Sequence, residues 1–155
     1  MQGKTKIIDA LNGLLAYELL AIDQYFVHSE MYADWGLHKL SERNAHEAED
    51  EKSHAKALIG RILFLEGRPN MVDRGELKIG SDVPAMLQSD LNVEYAVGAA
   101  LKNAMHLCET EKDYVTRDTL QALLEDTEKD HAHWLEQQLG LIKIIGLPNY
   151  LQSQM

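Results

Sequence analysis

Residues 40–63, LSERNAHEAEDEKSHAKALIGRIL, decide how the chain folds. Leu40, Leu58 and Ile62, continued by Leu65, recur at three-, four- and seven-residue steps, the spacing of one face of an α-helix. Glu51 and His54 fall on that same face, inside the apolar stripe rather than opposite it. A carboxylate and an imidazole at positions i and i+3 on the buried side of a helix need a reason to be there.

Working outward, the stretch EKSH at 51–54 is echoed by EKDH at 128–131. Each is preceded by a single core-facing glutamate. Glu18 sits amid Leu11, Leu14, Leu15, Ile22 and Tyr25, and Glu94 amid Leu87, Leu91, Val97, Leu101 and Met105. Leu124, Leu135, Leu139 and Ile142 flank Glu128 and His131. The spacing repeats as well: Glu18 to Glu51 is 33 residues and Glu94 to Glu128 is 34. Glu18 to Glu94 is 76, while Glu51 to Glu128 and His54 to His131 are both 77. Two halves of the chain carry one pattern, as a pseudo-twofold pair does.

These stripes predict helices over 5–34, ending before Gly36; over 38–66, stopped at Gly67 with Pro69 beyond; from about Ser81, Asp82 and Pro84 to 111; and from Asp113 to 140, where Gly140 interrupts or bends the helix. A short helix is expected in the tail after Gly146 and Pro148. Four long amphipathic helices make a four-helix bundle, one domain over 1–155. The connection at 67–82 is too long for a turn and reads as a crossover that leaves the second and third helices parallel.

Four carboxylates converging on an apolar core repel one another and lose hydration, at several kcal/mol per ion. Two divalent cations cancel that charge. Oxygen donors with one imidazole per metal suit iron or manganese rather than a thiolate-rich zinc site, and anionic oxygen favours the ferric state.

Composition narrows the field. With 25 acids against 15 bases the formal charge is −10, which argues against nucleic acid. A single cysteine, Cys108, excludes an intrachain disulfide and is expected as buried packing. The polar MQGKTKIID start has no signal-peptide core and no stretch approaches a membrane span, so a cytoplasmic protein is expected. HEAED at 46–50 is not a zinc-protease motif, because Asp50 stands where the second histidine belongs. His28, His38, His106 and His133 lack partners at ligand spacing and are expected at the surface or an interface. Trp35 and Trp134 are expected at helix ends or subunit contacts.

Across essentially its whole length the chain resembles bacterioferritin. The resemblance is carried by LAYELLAIDQYFVHSEMY (15–32), HEAEDEKSHA (46–55), RILFLEG (61–67), KDYVTRD (112–118) and GLPNYLQSQM (146–155). Glutamates joined by two Glu-x-x-His motifs are the established pattern of ferritin-like di-iron bundles, matched here rather than deduced. The resemblance implies an all-α ferritin-like bundle with a short fifth helix. It also implies a 24-subunit shell that oxidises Fe(II) at intrasubunit di-iron sites and stores ferric mineral. Glu51 and Glu128 would bridge the irons; Glu18 with His54, and Glu94 with His131, would each hold one.

By the same resemblance His46 and Asp50 form an inner-surface iron station, and Tyr25 donates an electron during oxygen reduction. Haem-binding members use a methionine directly after the second-helix glutamate, but this chain has Lys52, whose ammonium has no lone pair to offer. No haem b is therefore expected from this chain alone; Met31 is read as packing, and a co-assembled haem-binding bacterioferritin subunit is a further partner. A small iron–sulfur ferredoxin is the implied partner for release. Two other readings stand beside ferroxidase and storage: an iron-buffering structural subunit of a mixed shell, and a peroxide-reducing rubrerythrin-like oxidoreductase. The NYLQSQM tail and the lack of a cysteine-rich segment count against the latter.

Overall fold

A computed structural model describes residues 1–155. Helix α1 runs Thr5–Asp34, α2 His38–Phe64, α3 Val83–Thr110 and α4 Tyr114–Asp126. A π-helical segment, Thr127–Ala132, leads into α5, His133–Ile145, and α6 covers Leu147–Ser153. No helix is long and apolar enough to cross a membrane.

Local chemistry sets the ends. α1, α2 and α3 close in the same double-bonded cap, in which a left-handed residue reverses the chain. Gly36, Glu66 and Lys112 hold that position with φ of 78°, 60° and 60°. After α2, Glu66 N–H donates to Leu63 O at 3.0 Å and Gly67 N–H to Ile62 O at 2.9 Å. The stop thus comes one residue before the expected Gly67, whose role is clearance: a Cβ there would lie 2.7 Å from Ile8 Cγ2. Asp82 caps α3 by accepting from Ala85 N–H at 2.8 Å, and Asp113 caps α4 from Thr116 N–H at 3.0 Å.

Cross-helix contacts fix the directions. Tyr25 meets Glu94 and His28 meets Asp90, so α1 and α3 are antiparallel. Ser29 meets Ser41 while His54 meets Glu18, so α1 and α2 are antiparallel too. α2 and α3 are therefore parallel, as the long connection requires. The last long helix runs against α2, with Arg61 on Thr116, His54 on Asp126 and Arg43 on Asp130.

Gly140 does not bend the fourth helix; it lies inside regular α5. The irregularity comes earlier, in the π segment, where Thr127 Oγ1 donates back to Leu123 O at 2.9 Å. The tail docks through the fully buried Tyr150, whose hydroxyl donates to Gln138 Oε1 at 2.9 Å.

Two large apolar clusters fill most of the interior, with a small third of Ala21, Tyr25 and Ala48. One gathers Ile7, Leu11, Leu15, Leu58, Ile62, Leu101 and Leu120 with Cys108, as expected for that thiol. The other gathers Tyr32, Leu40, Met86, Leu87, Leu91, Leu135 and Tyr150, with Met31 packed against it. Between them lies a layer of buried polar side chains.

Candidate metal centre

Five of the six expected ligands meet in that layer. Glu18, Glu51, His54, Glu94 and His131 are all 5% exposed or less. They form two sets, Glu18–Glu51–His54 and Glu51–Glu94–His131, in each of which the ligand atoms lie within 4.8 Å of one another. Glu51 belongs to both. Its Oε2 is 3.2 Å from His54 Nδ1 and its Oε1 is 2.7 Å from His131 Nδ1, one oxygen turned to each side. Glu18 Oε2 lies 3.7 Å from His54 Nδ1, and Glu94 Oε1 lies 3.4 Å from His131 Nδ1. The two imidazoles stack with centroids 5.7 Å apart.

Glu128 is the departure. Its side chain is 51% exposed and its Oε1 sits 2.9 Å from Lys102 Nζ, outside the cluster. The expectation that it faces inward assumed an α-helix at 128–131. In the i→i+5 register of a π segment each turn is wider, and a three-residue step carries Glu128 further round the axis from His131.

The donor set fits metal cations. Both carboxylate oxygens of Glu18 and Glu51, Glu94 Oε2, and Nδ1 of both histidines are buried with no hydrogen-bond partner in the protein. Buried polar atoms are rarely left so, and a pair of divalent cations would satisfy them together.

Electrostatics agree. Burial, reinforced by the neighbouring Glu51, pushes the Glu18 carboxyl well above the usual carboxylate range. Burial and Glu51 also push Glu94 up to about 8. Burial works against charge on Glu51 as well, yet Glu18, His131 and His54 outweigh it and hold Glu51 low. His54 is raised to about 11 because Glu18 and Glu51 overcome the cost of burying its charge. His131 is raised in the same way by Glu47, Glu51 and Glu94. Without metal the site is held together by protons that a cation must displace.

Tyr25 is buried, and its hydroxyl donates to Glu94 Oε1 at 2.5 Å. His46 is exposed and 3.3 Å from Asp50, so the pair lies off the core face. Asp50 itself groups with Glu47, Asp130 and His131.

Three residues that position the ligands were not singled out from sequence. Asp126 Oδ2 is hydrogen-bonded to His54 Nε2 at 3.0 Å. Buried Glu47 places Oε2 2.7 Å from His131 Nε2, out of line with the ring N–H. Arg43 in turn pairs with Glu47 at 2.6 Å and lies over Trp134. Glu47 had a signal, standing one helical turn before Glu51 on the same stripe; Asp126, on an exposed face, had none. His28, expected at the surface, is instead fully buried with Nδ1 2.9 Å from Asp90 Oδ1. Its partner comes from another helix, which spacing along one helix does not reveal. His38, His106 and His133 are exposed, as expected.

Fold and site together define a four-helix protein with a buried carboxylate–histidine cluster able to hold paired metal ions, Glu51 being common to both halves of it. Comparison with known proteins agrees. The ferritin-like domain profile matches residues 8–145. The chain is 57% identical over 155 residues to a bacterial ferritin of Synechocystis sp., covering 100% of this chain and 99% of that one. A bacterial ferritin of Pseudomonas aeruginosa is 58% identical over 154 residues, 99% of both chains. A bacterioferritin of Brucella melitensis is 39% identical over 98% of this chain and 94% of its own. The chain belongs to the ferritin family, whose members bind iron, oxidise it and store it, and self-assemble into shells.

Proposed function

We propose that this chain oxidises ferrous iron at the Glu18–Glu51–His54 and Glu51–Glu94–His131 sets, with Glu128 turning in as the sixth ligand, and stores the ferric product. One observation carries the reading: Glu51 offers one oxygen to each set, the arrangement a bridging carboxylate needs. Ferrous iron is the substrate. Each ion gives up one electron to dioxygen or peroxide, and the anionic oxygen donors favour the ferric product. Glu18 and Glu94 act as terminal ligands, His54 and His131 as one imidazole each. Asp126 and Glu47 behind the imidazoles hold the rings so that Nδ1 faces the metals.

Tyr25, bonded to Glu94, is placed to supply an electron. His46 and Asp50 are proposed as the inner-surface iron station. The 24-subunit shell, a second haem-binding subunit, a ferredoxin for release and a cytoplasmic location are carried over from the resemblance. Lys52 lines an open groove of about 600 Å³ on α1 and α2 beside Leu19, Ile22, Phe26 and Met71, and offers haem iron no ligand there.

The test is turnover. Anaerobic Fe(II) addition followed by air is expected to give a fast oxidation phase that saturates near two irons per chain, roughly the capacity of one two-metal site. Glu18→Ala is expected to abolish that phase. Equal, slow oxidation by both proteins would leave an iron-buffering subunit as the better account.

A further inference from the structure

Three groups of acidic and histidine side chains have the spacing to hold a cation, and only two of them belong to the centre built on Glu51. The third gathers Glu47, Asp50, Asp130 and His131, its ligand atoms again within 4.8 Å of one another. It has one carboxylate more than either set of the centre. Both oxygens of Glu47 are buried without a hydrogen-bond partner, as those of Glu18 and Glu51 are. The third group differs in that a cation already stands in it. Arg43 Nε lies 2.6 Å from Glu47 Oε1, and Nη2 lies 3.1 Å from Asp130 Oδ1 and donates to Asp130 O at 3.3 Å. The guanidinium rests over the Trp134 ring, 4.7 Å from its centroid. Its Nε–H is out of line with Glu47, so it acts on that carboxylate as a charge more than as a donor.

We propose that Arg43 is the resident cation of this third group, shutting it to metal and leaving Glu47 to hold His131 for the centre. The inference rests on the reading of the Glu51 sets as metal positions. There the charges are balanced by protons, which an arriving cation displaces. A guanidinium carries a permanent charge and cannot be displaced in that way. A divalent ion entering between Glu47 and Asp130 would sit against that fixed charge, or would have to push Arg43 off Trp134 as well. Once there it would draw Glu47 to itself, and His131 Nε2 would lose the carboxylate 2.7 Å behind it. A ligand imidazole without such a partner holds its metal less tightly. Arg43 is thus a positioning residue: it touches no metal and acts through Glu47. Asp50, 31% exposed and 3.3 Å from His46, lies on the open side of the group and stays available to the inner-surface station.

The experiment counts and places Co(II) in the assembled protein. Crystals of wild type, Arg43→Gln and Arg43→Lys are soaked in Co(II), and anomalous difference maps are set beside the ions retained per chain after desalting. Wild type is expected to hold ions at the Glu51 sets and none between Glu47 and Asp130. Arg43→Gln keeps a good helix former and removes the charge. It is expected to gain an ion between Glu47 and Asp130, and to bind the ion at His131 about ten-fold or more weakly in titration. Arg43→Lys returns the charge without the planar fork and is expected to lose the added ion again, a rescue that a merely structural arginine does not predict. Wild-type count and positions in Arg43→Gln would overturn the proposal, and so would an added ion in Arg43→Lys. If Arg43→Gln does not assemble, the wild-type map decides. An ion between Glu47 and Asp130 overturns the proposal, and none there at Co(II) that fills the Glu51 sets upholds it. Empty Glu51 sets in wild type would instead reject the reading of the centre, whereas the added ion in Arg43→Gln still decides the role of Arg43.

Discussion

Replacing Glu94 by glutamine keeps the shape of the side chain and removes its acid. The buried carboxyl is held up to about 8, against an ordinary value of 4.5. A carboxyl whose value in the fold lies above its unfolded value costs stability once the pH passes the unfolded value, and the cost grows until the pH reaches the folded one. At about pH 7 the unfolded chain is ionised at this position and the folded chain is not. At roughly 1.4 kcal/mol per pH unit above 4.5, the penalty is about 3 kcal/mol. At about pH 5 the same arithmetic leaves about 1 kcal/mol. Glutamine avoids this and can still accept from Tyr25 through its amide oxygen, but its NH2, buried where Oε2 has no partner in the protein, takes back about 1 kcal/mol. A net gain of about 2 kcal/mol follows for the metal-free protein at neutral pH. That corresponds to a Tm higher by about 4–8 °C in a chain of this size. The assay is thermal unfolding of chelator-treated protein at both pH values, repeated with Co(II). Saturating metal should reverse the order, because a ligand at a hundred times its Kd adds about 2.7 kcal/mol per intact site. A variant no more stable than wild type at pH 7 without metal, or a gain undiminished at pH 5, would refute the account of how this site is strained.

The remaining expectations concern single side chains. Asp126→Asn should weaken Co(II) binding about ten- to a hundred-fold by releasing the His54 ring from its partner; isothermal titration checks this, and unchanged affinity removes Asp126 from the site. Tyr25→Phe should leave metal occupancy intact, lose about 1 kcal/mol of stability with the bond to Glu94, and slow the fast oxidation phase. An unaltered rate in stopped-flow oxidation would reduce Tyr25 to packing. Purified protein from haem-replete cells should show no Soret band unless a second subunit co-purifies, and Lys52→Met should gain one. A stoichiometric Soret band in the pure homo-oligomer would show Lys52 to be no obstacle.

Much of the fold was legible because its signals are local. The apolar stripes marked four helices, and α1 begins and ends where the periodicity does, at Thr5 and Asp34. Asp82 and Asp113 announced the starts of α3 and α4 through their caps. The end of α2 was nearly so, but the left-handed residue turned out to be Glu66, which accepts the unfavourable φ because two cap bonds and the packing of Leu65 fix it there. What could not be read was the hydrogen-bond register of residues 127–132. A helical wheel assumes one constant angle per residue, and no residue type in TEKDHA forces an i→i+5 turn. Gly140 was the visible irregularity in that helix, yet α5 passes through it undisturbed, because an isolated glycine costs only about 1 kcal/mol.

The same distinction explains the site. Glu18, Glu51, His54, Glu94 and His131 were legible because a charge inside an apolar stripe stands out from the stripe's own period. The matched intervals in the two halves suggested equal halves, and the geometry makes them unequal. Glu18, Glu51 and His54 come from two uninterrupted α-helices packed against each other, so their positions follow from α-helical spacing alone. Glu94 comes from α3 and His131 from the π segment, and Glu128, the counterpart of Glu51 in the repeat, is drawn out to Lys102. Equivalence in sequence guarantees equivalent positions along the chain, not equivalent backbone. A wider turn beneath one of two like motifs leaves the first half's glutamate buried between imidazoles and the second half's exposed beside an ammonium. Glu51 is held on both sides by buried imidazoles and has nowhere else to go, whereas Glu128 has solvent and an ammonium within reach. On the proposed reading, one fixed carboxylate keeps the two metal positions in register while the other must turn in to meet its ion.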